Sequence, residues 1–136
     1  MTTNAERAEI LERALRARVD GKRSAAEQLY TEDVKAWTPA FSTSSRDELL
    51  KEFDRTDDAF SDVALDVTTL DVGGDFGCAE WTVTMTARAE PDAGRITVHG
   101  ITVAEFQGDH ICSLRQYWDE VAVAVLLGTD EGEPPD

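Results

Sequence analysis

The strongest constraint on the fold is a change of period after Phe60. From Ser61 to Val72 the chain alternates Val63, Leu65, Val67 against Asp62, Ala64, Asp66. Phe76 to Arg88 and Arg95 to Phe106 repeat the pattern in long runs rich in Thr and Val. Alternation with period two is the signature of a strand with one buried face. The breaks are turn material: Val72-Gly73-Gly74-Asp75, Glu90-Pro91-Asp92-Ala93-Gly94 and Gln107-Gly108-Asp109. Runs this long, joined by turns this short, predict antiparallel neighbours in a meander. A last strand follows Gly108-Asp109, and Ala122 to Leu127 reads as an apolar closing segment.

The first 60 residues read differently. Ala8, Leu11, Leu15 and Val19 recur at helical spacing over residues 5–20, and Gly21 is a stop signal. A short helix is expected over 24–30 and a third from Ser45 to about Asp58. Three capping boxes support these starts: Thr3 with Glu6, Ser24 with Glu27, Ser45 with Glu48. Between the second and third helices, Thr31-Glu32-Asp33 reads as a turn, Val34–Thr38 as a short strand ended by Pro39, and Ser42 to Ser45 as a polar loop. Helices first and a meander second is an α+β plan.

Composition narrows the function. The chain of 136 residues carries 13 basic and 28 acidic side chains, a formal charge of −15. Such a field repels phosphate backbones and anionic lipid, so neither nucleic acid nor a membrane is an expected partner. No apolar run suits a signal peptide or a bilayer span, which places the protein in the cytoplasm. Cys78 and Cys112 read as reduced, buried residues, to be bridged only if their strands are neighbours. No His, Cys, Asp or Glu cluster has metal-ligand spacing, and neither a metal nor a cofactor is expected.

Candidate site residues come from facing. Alternation puts Trp81, Val83 and Met85 on one face, assigned to a pocket, with Glu80 outward. Arg115, Tyr117 and Asp119 share one face of the last strand; Cys112, Leu114, Gln116 and Trp118 share the other. Arg115 is expected to pair with a carboxylate across the sheet. If Thr102 faces the pocket, His99 faces out. Thr38, Thr82 and Thr102 are small polar groups suited to orienting a ligand. Trp37, Trp81 and Trp118 read as core or pocket wall, and Tyr117 as a packed ring or a hydrogen-bond donor to a ligand. Two readings of Asp119 stand side by side: a general acid/base in an apolar pocket, or an acid that accepts backbone N–H groups where the strand ends.

The helices, followed by Leu-Tyr-Thr-Glu-Asp-Val-Lys-Ala-Trp-Thr-Pro (Leu29 to Pro39), Ala-Glu-Trp-Thr-Val-Thr (Ala79 to Thr84), His-Gly-Ile-Thr-Val-Ala-Glu-Phe (His99 to Phe106) and Arg-Gln-Tyr-Trp-Asp (Arg115 to Asp119), resemble the SnoaL-like and nuclear transport factor two-like superfamily. The resemblance implies a cone: a strongly curled, mostly antiparallel sheet wrapped around about three N-terminal helices, a cystatin-like α+β barrel. It implies a SnoaL-like domain over 1–128 and a homodimer through the outer face of the sheet; residues 129–136, with two prolines and four acids, read from composition as an acidic disordered tail. A hydrophobic small-molecule ligand would occupy the pocket, touching Trp37, Thr38, Phe53, Trp81, Val83, Thr102 and Tyr117, with Asp119 as the catalytic group. The ketosteroid isomerase branch needs a tyrosine, a base and an oxyanion acid where this chain has Ala14, Thr38 and Thr102. Limonene epoxide hydrolase-like members need an Arg and an Asp where it has Trp81 and Val83. What remains is a cofactor-independent enzyme of the cyclase or isomerase type acting on a hydrophobic oxygenated molecule, or a binding or accessory protein with the same pocket.

Overall fold

A computed structural model gives the architecture and describes residues 2–20 and 25–118. Gly21, the Ser24 half of the second capping box, Asp119, the closing segment and the acidic tail lie outside the described residues. Three helices precede and punctuate a six-stranded sheet. The first, α1, runs Asn4–Asp20. Its capping box is reciprocal: the Thr3 hydroxyl accepts from the Glu6 N–H at 3.1 Å, and the Thr3 N–H donates to Glu6 Oε1 at 3.3 Å. Leu11, Ala14 and Leu15 form its buried stripe.

The second helix, α2, is a single turn, Ala26–Leu29. It passes directly into β1, Tyr30–Trp37, four residues earlier than the sequence suggests. The reason is a register shift between Tyr30 and Lys35. This irregularity takes up the polar residues Thr31 to Asp33, which therefore look like a turn while lying in a strand. Thr38 then closes a tight reversal. Its hydroxyl accepts from the N–H groups of Ala40 and Phe41 at 3.0 and 3.1 Å. The chain returns along β1 as a two-residue strand, β2 (Ser42–Thr43), where a loop is expected from the serines alone. Ser45 caps α3, Arg46–Ala59, by accepting from the Glu48 N–H at 3.2 Å. Leu49 and Phe53 are its buried side chains.

The remaining strands are β3 (Phe60–Gly73), β4 (Phe76–Ala87), β5 (Arg95–Gln107) and β6 (His110–Trp118). The sheet order is β2-β1-β6-β5-β4-β3. Only β1 against β6 is parallel; the other four pairings are antiparallel. The sheet is open, with β2 and β3 as edges, so the expected cone is not a closed barrel. Arg7 ties the start of α1 to two hairpin turns. It donates to the Gly74 carbonyl at 2.6 Å and to the Gly108 carbonyl at 3.0 Å, and lies over the Phe106 ring.

Both cysteines are free. Cys78 is exposed and Cys112 half-buried, so the expected burial is corrected: Cys78 alternates with the inward Gly77 and Ala79. Their strands are separated by β5, about 10 Å across two strand spacings, beyond disulfide reach. Burial, and then the Glu105 carboxylate, push the Cys112 thiol up, which keeps it protonated and unreactive.

Ser45→Ala removes an N-cap acceptor and is expected to cost about 1 kcal/mol. Urea unfolding followed by tryptophan fluorescence would measure it.

Candidate functional site

Between α3 and the inner face of the sheet lies a cavity of about 260 Å³. Its closed end is made by Leu15, Phe60, Trp81, Met85 and Val98, all buried. Val63, Leu65 and Val83 extend the wall, and Trp118 lies at the last described position of β6. The mouth is formed by Ala40 and Phe41 of the β1–β2 reversal and by one side of α3. The bend of β3 that brings Phe60 and Val63 to the cavity has an identifiable cause. Asp62 sits at φ 53, inside a register shift between Ser61 and Ala64. Arg95 holds this bulge by donating to the Asp62 carbonyl at 2.7 Å and to the Thr84 hydroxyl at 3.0 Å.

Trp81 fixes the floor. Its indole N–H donates to the Thr102 hydroxyl at 2.8 Å. Its ring lies against Gly100, where a Cβ would stand 2.3 Å from the indole Cη2. Only glycine leaves room for the ring in this position. Thr102 is fully buried, and its hydroxyl accepts the Trp81 N–H.

The residues singled out from sequence separate into three groups. Trp81 and Val83 line the cavity, as does Met85. Thr38, Phe53 and Thr102 are buried beside it in structural roles: Thr38 holds the reversal, Phe53 packs on Tyr30 with ring centroids 6.5 Å apart, and Thr102 holds Trp81. Trp37 and Tyr117 point to the opposite face of the sheet, 43% and 47% exposed, and pack on each other at 5.2 Å. Period two is the cause: with Gln116 buried and Trp118 in the cavity wall, Tyr117 must turn outward. Thr82 and His99 also face out and bond to each other at 3.0 Å. Arg115 pairs across the sheet with Glu105 at 3.0 Å. Asp119 lies outside the described residues.

The polar rim was not foreseen. Glu52, Arg55, Thr56 and Asp57 of α3 border the cavity, and the three charged ones are its ionisable residues among the described residues. Glu52 is only 18% exposed and pairs with Arg55 at 3.3 Å. The available signal was spacing: Glu52 and Thr56 flank the inward Phe53 at one-turn separation. No group of three His, Cys, Asp or Glu among the described residues could hold a metal ion. None of the helices described is long and apolar enough to cross a membrane.

An open mixed sheet cradling three helices defines the nuclear transport factor two-like and ketosteroid isomerase-like fold class. The SnoaL-like domain model matches residues 11–114, and the chain belongs to that family. Among solved structures, a protein of Jannaschia sp. assigned as a SnoaL-like polyketide cyclase is similar at TM-score 0.82 and 15% identity, covering 97% of this chain and 95% of that one. A protein of Catenulispora acidiphila with a ketosteroid isomerase-like fold, solved with trimethylamine, gives 0.78 and 20%, covering 88% and 92%. An LEH-like epoxide hydrolase of M. tuberculosis gives 0.74 and 14%, covering 93% and 92%. At these identities the likeness is one of fold. No curated protein sequence matches the chain.

Thr102→Val keeps the volume but leaves the Trp81 N–H buried without its acceptor. The expected loss is about 1–3 kcal/mol, read from denaturant midpoints, with a change in tryptophan emission.

Proposed function

We propose that this SnoaL-like protein is a cofactor-independent enzyme of the cyclase or isomerase type, acting on a hydrophobic, oxygenated small molecule. The observation that carries the reading is the cavity: apolar at its closed end, lined by Phe41, Phe60, Trp81 and Trp118, and polar only along α3. Such a site binds a ring system by burial and stacking. Its volume is below the ~300–1,000 Å³ usual for ligand pockets, which favours a compact ring body over a long chain. Asp119, the acid that the family resemblance assigns, follows Trp118 in sequence; strict alternation would put it on the Tyr117 side of the sheet, so this reading requires the chain to leave the strand pattern after Trp118. There Asp119 would take a proton from a carbon beside a carbonyl and return it at the end of the reaction. An electron-rich ring substrate spreads the resulting charge itself, so little more is asked of the protein. The residues present weigh against the chemistry of two relatives. Epoxide opening with a charged pair has Trp81 and Val83 in its place, and isomerisation with an internal oxyanion acid has Thr102.

A second reading has its own observation. No ionisable side chain lines the closed end of the cavity among the described residues. The same pocket would then bind or carry its ligand without turnover. Asp119→Asn decides between them on a panel of polyketide, steroid and terpene carbonyl compounds. The enzyme reading expects turnover to fall by about 10²- to 10⁴-fold with the melting temperature nearly unchanged. Binding without turnover by the unmodified protein supports the carrier. A large loss of stability with activity kept would remove Asp119 from the chemistry.

We further propose that two copies pair through the outer face of the sheet. There Trp37, Ile101 and Tyr117 are contiguous, Ile101 being the β5 partner of Tyr117. In a chain of charge −15, the exposed positions of β1, β4, β5 and β6 come close to balance: Lys35, Arg95 and Arg115 against Glu32, Asp33, Glu80 and Glu105. Two copies meet here with little like-charge repulsion. Light scattering should show a dimer that Tyr117→Glu converts to a monomer; a monomeric parent protein at 100-fold varied concentration, on the order of the range a weak dimer spans, would contradict the pairing.

A further inference from the structure

The cavity has a polarity that the proposed reaction can use. At its closed end the Trp81 N–H is already given to Thr102, so a ligand oxygen placed there finds that donor taken. At the α3 end the bonding is uneven. The Thr56 hydroxyl donates to the Glu52 carbonyl at 3.1 Å. The Asp57 carbonyl accepts from Arg88 Nε at 3.0 Å, and Asp57 is otherwise engaged. Glu52 is paired with Arg55 Nη1 at 3.3 Å. Arg55 has five N–H donors, and its contact among the described residues is the ion pair of Nη1 with Glu52 Oε1. Its side chain is 77% exposed at the mouth, with donors to spare and room to turn.

We infer that Arg55 receives an anionic oxygen of the ligand, so that the cavity takes a compact ring body and the mouth takes a carboxylate or enolate. The inference rests on the small-molecule reading of the cavity and assigns the orientation within it. In the proposed proton transfer, the C–H bond beside the carbonyl breaks, the proton goes to the general base of that reaction, and the electron pair moves onto the carbonyl oxygen. That oxygen gains negative charge opposite a guanidinium whose planar fork suits it. The oxyanion acid missing at Thr102 is thereby replaced by a cation at the other end of the site. The chain's overall negative charge does not forbid this. Charges farther than about 8 Å are screened at physiological ionic strength, while a contact donor is not. Glu52 competes for Arg55 but occupies one edge of the fork.

Three probes share a ring body and differ in charge: 2-naphthoate, neutral 2-acetonaphthone and 2-naphthylmethylammonium. Calorimetric titration should show naphthoate bound about tenfold more tightly than acetonaphthone, as a charge-assisted hydrogen bond requires, with the ammonium weakest. Arg55→Gln should remove the naphthoate advantage, with only a small loss for acetonaphthone, whose neutral carbonyl accepts more weakly from the same donors. Glu52→Gln should leave naphthoate binding equal or tighter. Equal affinities for naphthoate and acetonaphthone in the parent protein would overturn the role of Arg55, as would a preference for the ammonium or an equal loss of all three probes in Arg55→Gln. Acetonaphthone carries no charge and depends chiefly on the cavity, so its failure to bind would remove the small-molecule reading itself and the orientation with it.

Discussion

The contact on which the site depends is the indole of Trp81 laid over Gly100 and held by Thr102. It joins β4 to β5 side chain to backbone and turns a polar strand position into a buried donor–acceptor pair. Three consequences follow from it. The floor of the cavity is rigid, because the ring has no space to rotate over Gly100 and loses its hydrogen bond if it leaves Thr102. The Trp81 N–H at the closed end is not offered to a ligand, because Thr102 accepts it. The cavity is shallow, because a large ring fills volume that a smaller residue would leave to a ligand.

This arrangement explains why the α3 side carries the polar work. A site that loses ionisable groups from its interior gains a stable floor, since a buried charge must be paired and hydrogen-bonded to be tolerated. In the proposed reaction, charge developing on the ligand would then be met at the mouth. There Glu52, Arg55 and Asp57 border the cavity, with Glu52 largely buried against the exposed Arg55.

Much of this was legible in the residues. The period-two runs and their glycine turns define β3 to β6 to within a residue or so at each end described, because each strand has one face against the core. The capping boxes of Thr3 and Ser45 locate helix starts because the same side chains make the bonds. Other parts were hidden for physical reasons. The bulge in β1 disguises strand residues as a turn. The strand β2 is two residues of Ser and Thr, too short to show any period. Trp37 and Tyr117 look like pocket aromatics by type, yet alternation alone turns them to the other face, where their rings pack at a tilt. The α3 rim was hidden because polar residues on a helix look the same whether they border water or a cavity.

The two faces of the sheet are therefore linked by one rule. Along β5 and β6, every residue given to the cavity side commits its neighbours to the outside: Gly100 and Thr102 inward put Ile101 outward, and Gln116 and Trp118 inward put Tyr117 outward. Apolar side chains are thus presented on both faces of the same two strands. An inner face alone would explain a folded monomer with a binding cavity. An outer face bearing Trp37, Ile101 and Tyr117 at close to half exposure, on a ground of nearly balanced charge, asks for a second cover. Any change that shifted the register by one residue would exchange the two sets, putting Tyr117 where Trp118 stands and Ile101 over the floor. The cavity and the proposed contact surface consequently stand or fall with a single strand register.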